Sequence, residues 1–185
     1  MHISAKMYGE KFLEKYSPSI PANDKKVVVE VGSGVNIERN IFNIKCRELG
    51  LEYHPVDQLH SIDPEVAYTL PMATESVDIV VSSSCFEHDD FFWITFLEIM
   101  RILKPHGLFY LNAPTNGVYH KYPVDNWRFY ADSSNALVNW ARKNRFPAVK
   151  LESFEGELMN DQWIDQVAVI LKNEDYASLY ANRIR

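Results

Sequence analysis

Three groups of residues in this chain have the types and spacing to do chemistry. The first is Glu30-Val31-Gly32-Ser33-Gly34, an acidic residue two places ahead of two glycines spaced one apart. Glycine has no Cβ, so a ligand can lie directly on the main chain, and Glu30 is placed to face a ligand amine. The second is Asp57, at the end of the next apolar run, where a carboxylate can take both hydroxyls of a ribose. The third is the stretch from Pro114 to Tyr130, which holds His120, Asp125, Arg128 and five aromatic residues. There His120 or Asp125 can accept a proton from a substrate hydroxyl while Arg128 and the tyrosines, Tyr119 among them, position a polar substrate. A structural reading competes: Asp125 and Arg128, three apart, pair on the first turn of a helix, and Trp127, Phe129 and Tyr130 anchor the loop to the sheet.

Elements of a particular kind are needed to bring these groups together. Val27 to Val31 reads as a buried strand running into the glycine turn, and Ile37 to Leu49 as the helix after it. Free N–H groups at the start of such a helix suit a ligand carboxylate or phosphate. Leu51–Val56, Glu65–Leu70, Val77–Ser84, Leu108–Ala113, Val149–Phe154 and Gln166–Leu171 read as further strands. Ser4–Tyr16, Phe91–Leu103 and Ser134–Asn144 have apolar residues at helical intervals, and Lys104-Pro105-His106-Gly107 reads as the close of the second of these. Ser4–Tyr16 is expected to fold back over the core, and the tail from Asn173 to form a surface helix or an unordered end. Ligands of open parallel sheets bind beyond the carboxyl ends of the strands, which gathers the loops at Gly32–Asn36, Ser83–His88 and Asn112–Trp127. His88 then becomes a cleft-lining residue. Asp89 and Asp90, beside it, read as helix caps in preference to metal ligands.

Composition sets bounds on the function. With 185 residues, 46% of them hydrophobic, the chain suffices for one good-sized core, and a single domain is expected. A net charge of −6 argues against nucleic acid or an anionic membrane surface as the main partner. Cys46 and Cys85 lack metal-ligand spacing and fit a reducing compartment. No run approaches the length of a membrane span, so a soluble, cytoplasmic protein is expected.

The E-x-G-x-G loop followed by Asp57, the Leu70-Pro71 pair, Cys85-Phe86-Glu87-His88, and the run E-I-M-R-I-L-K-P-H-G-L-F-Y-L from Glu98 together resemble the class I S-adenosylmethionine-dependent methyltransferases. The resemblance covers roughly Val27 to Pro114 and implies one Rossmann-like three-layer α/β/α domain. Its sheet would be mostly parallel and seven-stranded, with an antiparallel C-terminal strand inserted beside the fifth. It further implies S-adenosylmethionine as cofactor, Glu30 on the methionine amino group and Asp57 on the ribose. Gly32, Ser33, Gly34, Asn36, Leu70 and Ser84 complete the implied cofactor site. His120 and Asp125 are the implied catalytic residues, and His88, Tyr119 and Arg128 bind the acceptor. No metal is called for. Many relatives carry an Asp facing the adenine shortly before Leu-Pro; this chain has Ala67, Tyr68 and Thr69 there.

The H-x-x-P-x-D-x-W-R-F arrangement from His120 is similar to a bacterial subgroup associated with polysaccharide and sugar modification, which implies O-methylation of a small-molecule acceptor, with a homodimer left open. Two alternatives stand beside this reading. A nicotinamide-dependent oxidoreductase shares the opening strand, loop and helix, but Ile37 occupies the position of its third glycine. A catalytically silent fold that binds a partner or only the cofactor is the other.

Overall fold

A computed structural model describes residues 3–21, 24–34, 36–57, 68–159 and 162–185. Helix α1 (Ile3–Tyr16) leads to β1 (Val27–Val31), α2 (Ile41–Glu48), β2 (Glu52–Val56), β3 (Val77–Ser83), α3 (Phe92–Ile102), β4 (Leu103–Pro114), α4 (Ser133–Lys143), β5 (Val149–Glu155) and β6 (Asp165–Leu171). The strands form one sheet in the order β2-β1-β3-β4-β6-β5. β2, β1, β3 and β4 run parallel, while β6 lies antiparallel between β4 and β5.

Alternation along the strands sends side chains to two opposite cores, which is why the fold has three layers. On one face Val29, Val80, Phe109 and Ile170 pack with Phe96 and Ile99 of α3 and Leu137 and Ala141 of α4. On the other, Val28, Ile79, Tyr110 and Val169 pack with Phe12 and Leu13 of α1 and Phe42 and Cys46 of α2. Phe12 stacks on Tyr110 with ring centroids 4.7 Å apart. Each large side chain so buried contributes roughly 1.5–3 kcal/mol. α1 does fold back, as expected, against α2, β4 and β6.

Several boundaries differ from expectation, each for a physical reason. The described residues form six strands, not seven. Of the expected third strand, Glu65–Ala67 lie outside the described residues, and Tyr68–Leu70 are not in a strand. The helix expected over Ile37–Leu49 breaks at Asn40, where a short 3-10 turn (Ile37–Arg39) ends and α2 begins. Asn40 Oδ1 accepts the Phe42 N–H at 2.8 Å and so caps α2 from inside the expected span.

Lys104–Gly107, expected to close a helix, belong to β4, and the pairing slips from Val77–Leu103 to Ile79–Leu108 across them. The buried carboxylate of Asp78 accounts for this excursion: Lys104 Nζ donates to both of its oxygens at 2.9 Å, and the Val27 N–H donates at 2.9 Å. The tail forms a short 3-10 helix at the surface, Glu174–Leu179, which is the first of its two expected forms, and its end then packs on the core. Tyr180 and Ile184 are buried, and the Tyr180 hydroxyl donates to the His106 carbonyl at 2.5 Å.

Candidate functional site

Because β1, β2, β3 and β4 are parallel, their carboxyl ends lie at one edge of the sheet, and the segments after Val31, Val56, Ser83 and Pro114 meet there. A cleft of about 440 Å³ opens among them, lined by Gly32, Ser33, Gly34, Asn36, Ser84 and His88 together with His120 and Tyr122. Lys6 of α1 reaches its rim, so the first helix both packs and lends a cation to the cleft. A smaller recess of about 110 Å³ adjoins it, bounded by Gly34, Asp57, Ser84 and Pro123.

Gly32 and Gly34 both have positive φ, +82° and +66°. Their reasons differ. A Cβ on Gly32 would lie 2.4 Å from Cys85 Sγ, whereas one on Gly34 would meet nothing within 4 Å. Gly32 is therefore required by the fold, and Gly34 leaves bare main chain facing open space. Ser84, at φ +52°, holds the same left-handed conformation without being glycine. Its Oγ is buried with no hydrogen-bond partner among the described residues, a donor available to a ligand.

Glu30 is buried at the base of the cleft, and burial raises its carboxyl above the ordinary value. Asn40 Nδ2 donates to Oε1 at 3.0 Å and the Tyr53 hydroxyl to Oε2. These two partners fix the carboxylate's orientation. Sequence reasoning missed both, and neither residue type nor spacing marked them. Asp57, just beyond β2, is exposed toward the recess.

The wall of the cleft that carries His120 and Tyr122 is built from the segment 115–132, which contains no helix or strand. The helical turn expected at Asp125–Arg128 is absent because the local N–H groups are used elsewhere. Those of Asn126 and Trp127 donate to the Glu87 carbonyl at 2.8 and 3.2 Å, and that of Phe129 to the Pro114 carbonyl at 2.9 Å. The pair itself forms: Arg128 donates through two nitrogens to the two Asp125 oxygens at 2.5 and 2.8 Å. This guanidinium holds Asp125 down at about 2, and the carboxylate also accepts the His120 N–H at 2.7 Å. So held, Asp125 remains an anion, 3.3 Å from His120 Nδ1. Arg128 is committed to the loop as well, donating to the Trp127 and Val118 carbonyls.

His120 is half-buried and meets the ring of His88 edge-on, with centroids 4.9 Å apart, and that of Trp163 at 4.8 Å. His88 is buried, its Nδ1 lies 2.5 Å from the Val124 carbonyl, and desolvation lowers its pKa, so the ring is neutral. Beside it Glu87 is fully buried and burial pushes its carboxyl up to about 8. Glu87 also escaped the sequence reading, since a Glu in a Glu-His-Asp-Asp run looks like a solvated helix start.

Other expected residues stand apart from the cleft. Tyr119 is 68% exposed with Lys121 over its ring, and the tyrosine that lines the cleft is Tyr122. Leu70 packs in the core, its N–H bonded to Glu98 and its carbonyl to Arg101, both on α3. Asp89 accepts the Phe91 N–H at 2.9 Å and the Thr95 hydroxyl at 2.5 Å, but it is not the expected cap of α3, whose N-cap is Phe91 with no side-chain cap bond. Asp90 accepts Asn126 Nδ2, tying this loop to the residues just ahead of α3. Phe129 is buried and Trp127 Nε1 donates to the Asp89 carbonyl at 2.9 Å, so both anchor the loop, whereas Tyr130, expected to join them, is exposed and does not.

Residues 30–111 match the family described as a methyltransferase domain. An uncharacterized methyltransferase of Mycobacterium avium is 30% identical over 140 residues, 66% of this chain and 53% of its own length. One from Mycobacterium bovis is 28% identical over 164 residues, 78% of this chain and 60% of its own. The chain thus spans little more than half the length of the relatives it matches.

Among solved structures, a 1,6-didemethyltoxoflavin-N1-methyltransferase of Burkholderia thailandensis, with 1,6-didemethyltoxoflavin and S-adenosylhomocysteine bound, superposes with a TM-score of 0.66 at 16% identity. It covers 93% of this chain and 80% of its own. An S-adenosylmethionine-dependent methyltransferase of Archaeoglobus fulgidus superposes at 0.60 with 14% identity, covering 91% and 94%. With its domain match and its relatives in agreement, the chain carries a methyltransferase domain, and its fold is that of the solved S-adenosylmethionine-dependent methyltransferases.

Proposed function

We propose that this chain uses S-adenosylmethionine to methylate a hydroxyl of a small polar acceptor, a sugar or a polysaccharide precursor. The observation that carries the reading is that the bare main chain at Gly34, the carboxylates of Glu30 and Asp57, and a carboxylate-oriented imidazole, His120, open into adjoining spaces. Glu30 would hold the cofactor's ammonium group and Asp57 its ribose hydroxyls, with Gly32, Ser33, Asn36 and Ser84 around them. The cofactor supplies a methyl group already activated on a sulfonium, so the work left to the protein is alignment and ionisation of the acceptor.

His120 would take the acceptor's proton on Nε2 as the new O–CH3 bond forms and the S–CH3 bond breaks. Asp125, fixed by Arg128, orients the ring and stabilises the imidazolium. It positions the base and is not itself the base. His88 and Tyr122 line the acceptor side.

Labelled-methyl transfer to a panel of sugars, phenols and amines tests this. Label is expected on a sugar hydroxyl, and His120→Ala should lower turnover by roughly 10²–10⁴-fold while leaving cofactor affinity unchanged. Transfer to amines alone, or full activity in His120→Ala, would overturn the hydroxyl-and-base reading.

A further inference from the structure

We infer that Glu87, His88 and His120 form a binding site for one divalent transition-metal ion at the acceptor side of the cleft. The inference goes beyond the methyl-transfer reading and does not rest on it. The three side chains offer ligand atoms that all lie within 4.8 Å of one another. Both rings are held through Nδ1, that of His88 by the Val124 carbonyl at 2.5 Å and that of His120 by the Val118 carbonyl and Asp125 Oδ2, each at 3.3 Å. Outer carboxylates and carbonyls hold metal-binding imidazoles in this way, leaving the Nε2 lone pair outward.

Glu87 supplies the oxygen ligand. It is fully buried, neither oxygen has a hydrogen-bond partner among the described residues, and His88 Nε2 stands 3.6 Å from Oε1. A desolvated carboxylate is stabilised by a cation placed against it. Two imidazoles and one carboxylate are the donor set of zinc and of divalent iron and manganese, and not of magnesium or calcium, which take oxygen ligands. Bonds of about 2.0–2.2 Å require the three groups to close by roughly 1–2 Å. The His120 lone pair can serve an ion or an acceptor's proton but not both.

The test uses the full chain, stripped with a chelator and dialysed, titrated calorimetrically with Zn2+ and followed by absorption with Co2+. One Zn2+ per chain is expected, with visible Co2+ bands. Glu87→Gln and His120→Asn should each weaken binding by roughly tenfold or more, and Glu174→Gln, at an exposed carboxylate paired with Arg142, should not change it. Thermal unfolding verifies that the variants are folded, and if either is not, the other and the wild-type Co2+ spectrum decide. Absence of stoichiometric binding, absence of the bands, or undiminished binding in a folded Glu87→Gln or His120→Asn overturns the site. Parallel titration with S-adenosylmethionine separates the two claims: cofactor binding without zinc removes only the metal site, and zinc without cofactor removes only the methyl-transfer reading.

Discussion

Asp57 and Glu30 carry opposite burdens, since one faces solvent at the lip of a recess and the other sits desolvated under the glycine loop. Replacing Asp57 with Ala should cost cofactor binding about 1.5–3 kcal/mol, roughly 10–150-fold in Kd by calorimetry. Unchanged affinity would remove Asp57 from the ribose.

Glu30 gives a pH dependence whose sign follows from its burial. Its carboxyl lies above 4.5 in the free protein and would be drawn down by a ligand ammonium. Binding therefore releases a proton, and affinity should rise as pH climbs from 4.5 through the raised value of Glu30. Calorimetry in buffers of different ionisation heat should detect that proton, and Glu30→Gln should abolish both it and the pH slope. At this scale the sequence marked the charged partners but not what disciplines them. Asn40, Tyr53 and Glu87 act through contacts between distant segments, and no local pattern reports such contacts.

At the scale of elements, the glycine loop shows two residues of one type answering to different demands. Gly32→Ala combines a left-handed backbone with a Cβ 2.4 Å from Cys85 Sγ, and should destabilise the fold by about 2–5 kcal/mol in denaturant unfolding. Gly34→Ala should cost only about 1–2 kcal/mol of stability while weakening cofactor binding, because its added methyl points into open space. Equal loss of stability in the two would contradict the distinction.

Asn40→Ala should lose about 1 kcal/mol, the worth of a helix cap, and also release Glu30. The strands β1 and β3 and the helix α3 were legible because alternation and helical spacing are local signals. The break at Asn40 and the path of residues 104–107 were not, because Asn40's bond to Glu30 and Lys104's to Asp78 are tertiary.

Over the whole molecule, two cores on opposite faces of one sheet fix the edge at which the site is built, and the tail helps to close one of them. Tyr180→Ala should cost about 3–4 kcal/mol in denaturant unfolding, since its ring is buried against that core. A surface tail would lose almost nothing. No described helix is long and apolar enough to cross a membrane. The class of fold was readable from the joint order of strand, glycine loop, acidic strand end and Leu-Pro, whereas the placement of β6 between β4 and β5 follows from pairing that alternation alone cannot specify.

The central claim is that S-adenosyl compounds lodge on the main chain at Gly34 between Glu30 and Asp57. A crystal structure of the chain grown with S-adenosylhomocysteine addresses it most directly. The account predicts the ligand in the cleft, with its ribose at Asp57 and its amino group at Glu30. Ligand density elsewhere on the molecule, or none at saturating concentration, would contradict it.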